Sequence, residues 1–274
     1  MLTILGHDRV HWLAAAALLA ACNGVAFDVL STIAQLGVGS ALLNTFGINP
    51  IFWFVLLVAA GIAFEADDVA NFRRGDFPVF GIVLVLAFVP VCSAGSAGLL
   101  LTACWLMITS PESSRGRRVA FVLLALTTSL IWGHLVLFFF GDRLVALDAH
   151  FVAWLVGSHS QGNLVDFTNG GDSKVLIGYP CSSIHNMTMA MQLWVGMTQK
   201  LRISINLRAL LIGLVAIVGN ILVNGARLAT LASNRATFDY WHQGTGGAIF
   251  AWLAVFIVAT IVMLGCYALA PRRV

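Results

Sequence analysis

The feature that most constrains this chain is the succession of long apolar runs along it. They recur from end to end, and strand-like alternation is absent. A membrane-spanning helix needs about 20 apolar residues. Eight segments read as candidates: roughly 11–30, 48–64, 78–93, 94–110, 118–140, 183–199, 208–226 and 243–269. Of the 274 residues, 59% are hydrophobic and only 10% charged, with a mean hydropathy of +0.92. A soluble domain carries about 25% charged residues, so this much apolar surface must face lipid. The expected fold is an all-α polytopic membrane protein of about eight transmembrane helices, residues 1–274 forming a single integral membrane domain. An outer-membrane barrel needs alternating strands and is disfavoured. The composition also excludes disordered, collagen-like and disulfide-framework chains. The net charge of +3 is small and its basic residues are scattered, which leaves no nucleic-acid footprint.

Finer features follow from the same runs. Segments 78–93 and 94–110 are short and joined by Cys92-Ser93-Ala94-Gly95-Ser96, the pattern of a tight helical hairpin. The Gly-rich stretch 31–47 is open to two readings, an outer connection or the continuation of a long tilted first helix. Leu19-Ala20-Ala21-Cys22 resembles a lipoprotein cleavage box, but the weakly basic stretch before it favours a first spanning helix. Residues 141–182 form the one sizeable extramembrane segment, expected as a helix from Asp142-Arg143 to about Val156. A small hairpin around Asn169-Gly170-Gly171-Asp172 follows it.

Orientation follows from Lys and Arg, because positively charged loops stay in the cytoplasm. With both termini inside, the inner side holds Arg9, Arg73, Arg74, Arg115, Arg117, Arg118, Lys200, Arg202, Arg208, Arg272 and Arg273. The outer side keeps Arg143, Lys174, Arg227 and Arg235. Glu65, Asp67, Asp68 and Asp76 join Arg73 and Arg74 in an inner loop, read as a mixed-charge surface without metal-site spacing.

This topology gathers three polar groups at the outer ends of late helices. Gly178-Tyr-Pro-Cys181-Ser-Ser-Ile-His-Asn enters the sixth, Asn224-Gly-Ala-Arg227 leaves the seventh, and Tyr240-Trp-His242-Gln-Gly-Thr-Gly-Gly opens the eighth. Cys22, Cys92, Cys104 and Cys266 lie in apolar spans or at their ends and read as small hydrophobes. Cys181 alone falls in the polar outer segment. Ser182 or Ser183 can cap the helix that follows. A thiol ahead of a helix N-terminus feels positive dipole and free N–H groups, which favour thiolate and can hold an oxyanion. His242 is placed to act as general base, which must come within about 3 Å of the thiol proton. His185, four residues after Cys181, competes for that role and lies a turn deeper, where burial disfavours charge. Arg227 stands against the positive-inside trend, and guanidinium suits a carboxylate or a developing oxyanion. Asn224, one turn earlier, is placed to orient it.

The remaining candidates are weaker. His134 lies mid-helix, His150 and His159 read as solvated, and His7 and His11 flank the first span. Asp28 and Asp239 lie near the outer face, Asp239 close enough in sequence to His242 to tune it, though a solvated role fits it better.

Together, Pro180-Cys181-Ser182-Ser183, Asn224-Gly225-Ala226-Arg227 and His242 with its trailing glycines resemble the exosortase/archaeosortase family, polytopic cysteine transpeptidases and proteases of prokaryotic membranes. The resemblance is strong over 160–250 and architectural over 1–140. It implies an enzyme of the cytoplasmic membrane with its active site facing outward. The implied substrate is a membrane-anchored protein with a C-terminal sorting tail: a short motif such as Pro-Glu-Pro, a transmembrane helix and a basic cluster. It implies Cys181 as nucleophile, His242 as general base and acid, and Arg227 as stabiliser of oxyanion or thiolate. A thioester would form and be resolved by water or an amine acceptor. Beyond the lipid bilayer, this substrate and an amine acceptor no partner is implied, and no cofactor or metal. Ser183 stands where the family often has glycine, which narrows the backbone room beside the thiol.

Other classes make different demands. A transporter or channel needs ionisable groups deep in several spans, and the spans hold little beyond His134. A haem or metal protein needs histidines paired at matching depth, a condition His185 and His242 meet only loosely. A serine intramembrane protease lacks a histidine partner for Ser96 or Ser129.

Overall fold

The computed structural model describes residues 8–66, 69–242 and 244–271. His7, Asp67, Asp68, Gln243, Arg272 and Arg273 lie outside the described residues. The chain is 79% helical. Ten α-helices run in order among the described residues: α1 (Arg9–Leu43), α2 (Pro50–Ala63), α3 (Asp76–Phe88), α4 (Cys92–Thr109), α5 (Arg115–Thr127), α6 (Gly133–Val156), α7 (Ser183–Lys200), α8 (Leu207–Ser233), α9 (Phe238–His242) and α10 (Thr245–Leu269). A π-turn at Thr128–Trp132 links α5 to α6 without a break, giving a continuous 42-residue helix.

Among the described residues, five helices are long and apolar enough to cross a membrane: α1, α4, the α5–α6 helix, α8 and α10. That is fewer than the eight expected, for a physical reason. At about 1.5 Å per residue, the 14 residues of α2 and 13 of α3 fall short of a hydrocarbon core of about 30 Å. The 18 residues of α7 carry His185, Asn186, Gln192 and Gln199, which dilute its apolar character.

Local chemistry sets the helix ends. Asp8, Asn49, Ser114 and Asn206 each cap a helix through a side-chain oxygen. The stretch 31–47 resolves mostly as a continuation of α1, interrupted at Gly37 (φ 74°). Pro90 sits in the turn between α3 and α4, so the connection is Val89–Val91, and Cys92-Ser93-Ala94-Gly95-Ser96 is already helical.

The chain divides into two compact units. The first comprises 1–131, 195–204 and 270–274, and the second 132–194 and 205–269. In the first, α1 packs on α3 and α4. A side chain at Gly95 would meet the Gly24 backbone nitrogen at 2.6 Å, so glycine is what lets α1 and α4 touch backbone to backbone. Asn23 crosses the other way, donating to the carbonyls of Leu86 and Val89 (3.2 and 2.7 Å).

Of the charges read as a mixed-charge surface, Asp76 is instead buried, Arg73 and Arg74 are exposed, and Asp67 and Asp68 lie outside the described residues. Arg9 and Asp76 form a doubly hydrogen-bonded pair (2.9 and 2.8 Å) at 1% and 0% exposure. Asp8 pairs with Arg115, both fully buried. Glu65 receives Arg118 (2.6 Å), Arg202 (3.0 Å) and Lys200 (3.2 Å). Burial alone would raise the Glu65 carboxyl, but hydrogen bonds from Arg118, Arg202 and Lys200 overcome it and lower its pKa from 4.5 to about 2. Residues distant in sequence supply each partner, which is why a loop-by-loop reading missed the pairing.

The second unit is built on α6, α8 and a small antiparallel sheet of β1 (Ser160–Gln161), β2 (Leu164–Asp166) and β3 (Lys174–Leu176). The expected hairpin is β2–β3, in register Leu164↔Leu176, Val165↔Val175 and Asp166↔Lys174, and β1 is an additional strand. The helix of segment 141–182 begins at Gly133, not at Asp142, and ends at Gly157 in the left-handed conformation (φ 66°). Val145, Ala149, Val152 and Ala153 of α6, Val165, Phe167, Val175 and Ile177 of the hairpin, and Leu228, Leu231 and Ala232 of α8 form one buried cluster. Backbone N–H groups of Thr168 and Asn169 satisfy the terminal carbonyls of α8 at Ala232 and Ser233 (both 3.1 Å), which pins the hairpin to that helix end.

Candidate functional site

Cys181 ends a 3-10 turn, Tyr179–Cys181, that leads from β3 into α7. All five cysteines are free, and Cys181 is half-buried against the apolar cluster of the second unit. Two helices grip this turn. On the α6 side, the Tyr179 ring lies over Gly141, where a Cβ would come within 2.8 Å of it. The Tyr179 hydroxyl donates to Asp142 (2.6 Å), and that hydrogen bond raises the phenol above its ordinary pKa. Two turns along α6, Asp148 accepts the Ser183 backbone N–H (3.0 Å) and the Ser183 hydroxyl (2.6 Å).

On the α8 side, Asn224 donates to the Cys181 carbonyl (3.0 Å) and to the Ser183 hydroxyl oxygen (3.4 Å). Asn220, one turn earlier, donates to the Asn186 carbonyl (2.6 Å). Helical spacing places Asn220, Asn224 and Arg227 on one face of α8. The sequence expectation that Asn224 orients Arg227 is therefore corrected: its amide is spent on the cysteine turn. Arg227 makes no hydrogen bond or ion pair among the described residues, and its Nε is buried. An unpaired guanidinium held one turn beyond Asn224 is free to take an anionic or polarised oxygen.

Ser182 is the N-cap: it is buried, and its hydroxyl accepts from the Ile184 N–H (3.4 Å). The N–H of His185 donates to the Ser182 carbonyl (3.3 Å). With Ser183 N–H on Asp148, the first amides of α7 are already engaged. The expectation that they hold an oxyanion is corrected, since these amides already have acceptors. A carboxylate at a helix start also offsets the positive end of its dipole.

His242 does not open the last helix as expected. It closes the short α9, and α10 begins at Thr245 after a turn in which the Gly244 N–H returns to the Asp239 carbonyl (3.1 Å). Its ring stacks on Phe238 (5.0 Å between centroids, 18° between planes). Phe238 and Trp241 pack against the same cluster as Cys181. Asp239 is exposed, in keeping with a solvated role. His185 sits in the first turn of α7, and its imidazole makes no hydrogen bond among the described residues.

The structure thus joins the Cys181 turn to Asn224 directly and brings Arg227 onto the same helix face. No hydrogen bond links the Cys181 thiol to the imidazole of His242 or His185 among the described residues. Nor do those residues hold any cluster of three or more His, Cys, Asp or Glu side chains fit for a metal ion. Sequence reasoning missed Asp148, Asp142 and Tyr179. The signal for Asp148 was present: one carboxylate inside the apolar run Leu144–Val156 needs a partner. No protein-family model, curated protein or solved structure matches the chain.

Proposed function

We propose that the chain is a membrane-embedded cysteine protease or transpeptidase, similar to the exosortase/archaeosortase family, that cleaves C-terminal sorting tails of exported proteins. The observation that carries this reading is the clamp of Asn224 on the Cys181 carbonyl and Ser183 hydroxyl. It ties the Pro-Cys-Ser-Ser motif to the Asn-x-x-Arg motif, 43 residues apart in the chain. In this reading α2, α3 and α7 complete eight membrane crossings, both termini are cytoplasmic, and Cys181 faces outward.

The tail helix of the substrate docks laterally in the bilayer, which sets its scissile bond at the outer interface. His242 takes the thiol proton, the thiolate of Cys181 attacks the carbonyl carbon, and the developing oxyanion is held by Arg227. The C–N bond breaks as His242 gives its proton to the leaving amine, leaving a thioester on Cys181. Water or an amine acceptor then attacks the thioester and restores the thiol. Because His242 has no hydrogen bond to the thiol, substrate docking has to bring the two together.

The test is processing of a reporter bearing a Pro-Glu-Pro motif, a transmembrane helix and a basic cluster. Cys181→Ala and Arg227→Ala are expected to accumulate uncleaved reporter, and Arg227→Lys to fail as well because lysine lacks the planar fork. Full cleavage by Cys181→Ala removes the nucleophile. A dead His185→Ala beside an active His242→Ala moves the base to His185.

A further inference from the structure

We infer that Asp148 is a positioning residue for Cys181, acting through Ser183 and Asn224. This rests on the reading of Cys181 as a nucleophile.

The geometry is a short relay within the second unit. The Asp148 carboxylate takes both donors of Ser183, N–H at 3.0 Å and Oγ–H at 2.6 Å. A hydroxyl has one proton. With that proton on Asp148, Ser183 Oγ presents only lone pairs to Asn224, whose Nδ2 approaches to 3.4 Å. The same amide reaches the Cys181 carbonyl at 3.0 Å. Asp148 therefore sets the rotor of Ser183, Ser183 sets which end of the Asn224 amide faces the turn, and Asn224 fixes the Cys181 backbone.

The position of Asp148 supports a purpose beyond capping. Ser182 already caps α7 through Ile184 N–H, so a second acceptor at the same helix start is not required to satisfy that cap. Asp148 also neighbours Val145, Ala149 and Val152, which are buried at 1%, 0% and 0%. A carboxylate rooted in so rigid a stretch of α6 transmits that rigidity to the cysteine turn. Asp142 secures the other end of the turn through Tyr179, so one helix holds the turn on both sides of Cys181.

The experiment uses the full-length protein in lipid nanodiscs with a sorting-tail substrate. Asp148→Ala is expected to lower kcat about 10- to 100-fold, the scale of misplacing a reacting group by about 1 Å, with KM within about twofold. Asp148→Asn is expected to recover part of that loss, since its amide oxygen can still accept Ser183 N–H. Asp148→Ala/Ser183→Ala is expected to be no worse than the poorer single variant, because the two residues act in series. If Asp148→Ala does not fold, Ser183→Ala alone tests the same relay. Unchanged kcat in a folded variant, or additive losses in the double variant, overturns the inference.

Alkylation of Cys181 by a maleimide is read on the same samples. Its rate is expected to change by at least about threefold in Asp148→Ala, as a displaced thiol requires. An unchanged rate overturns the positioning role even where the protease reading has failed. Turnover by Cys181→Ala overturns the protease reading alone.

Discussion

The buried pair Arg9–Asp76 gives the most quantitative test of the fold. Asp76 accepts four hydrogen bonds: Arg9 Nε (2.9 Å), Arg9 Nη2 (2.8 Å), Trp105 Nε1 (2.7 Å) and the Arg73 backbone N–H (2.7 Å). Arg9 reaches Thr109 as well, through its hydroxyl (2.6 Å) and its carbonyl (3.4 Å). The pair thus ties α1 to the start of α3 and the end of α4. Asp76→Ala strands a guanidinium that is 1% exposed. Breaking a buried pair from one side costs about 3–5 kcal/mol, which is about two to three and a half decades in the unfolding constant. Arg9→Met/Asp76→Leu leaves the Trp105 and Arg73 donors unpaired just as Asp76→Ala does, at about 1–3 kcal/mol per orphaned group, but it strands no guanidinium. The double variant is therefore expected to be more stable than Asp76→Ala alone. The assay is reversible unfolding in mixed micelles followed by tryptophan fluorescence. A loss under about 1 kcal/mol in Asp76→Ala, the scale of an exposed pair, refutes the reasoning. So does a double variant that loses the sum of the two singles.

Two further outcomes are expected. Glu65 titrates at about 2 in the folded protein against 4.5 ordinarily. Its folded pKa is depressed, so its contribution to stability is present above pH 4.5 and is lost as pH falls toward about 2. Unfolding midpoints of Glu65→Gln should lie below wild type at about pH 6 and converge with it in that acid window, and a gap that does not narrow contradicts the Arg118, Arg202 and Lys200 pairing. In intact cells, with Cys22, Cys92, Cys104 and Cys266 replaced by alanine, a membrane-impermeant maleimide should label Cys181. Labelling only by a permeant reagent would invert the proposed orientation or seal the site.

Much of the fold was legible in the chain because apolar runs and turn residues act locally. Asn169-Gly170-Gly171 announces the β2–β3 turn, whereas the caps at Asp8, Asn49, Ser114 and Asn206 emerged from the structure. Span counting was less secure, because α2 and α3 are apolar but short and α7 is long but mixed. The motifs around Cys181, Asn224 and Arg227 stood out as polar groups at helix ends, yet their connections did not. Asn224 serves the cysteine turn in place of Arg227, and His242 ends α9 where it was expected to open α10. Asp148 and Tyr179 carry no local pattern that names their partners, since those lie 35 and 37 residues away.

The sequence by itself determined that the chain is helical and belongs in a membrane, because hydropathy and hydrogen-bond demand in lipid depend only on composition and order along the chain. It also singled out residues with the chemistry to act: a cysteine in a polar segment, an arginine at a late helix end, and two histidines. Tertiary structure alone decided how these are held. Which carboxylate neutralises which guanidinium, which amide clamps the Cys181 carbonyl, and which N–H groups are left for an oxyanion depend on contacts between distant segments. Such contacts form only when α6, α7 and α8 pack, and no periodicity within one segment encodes them.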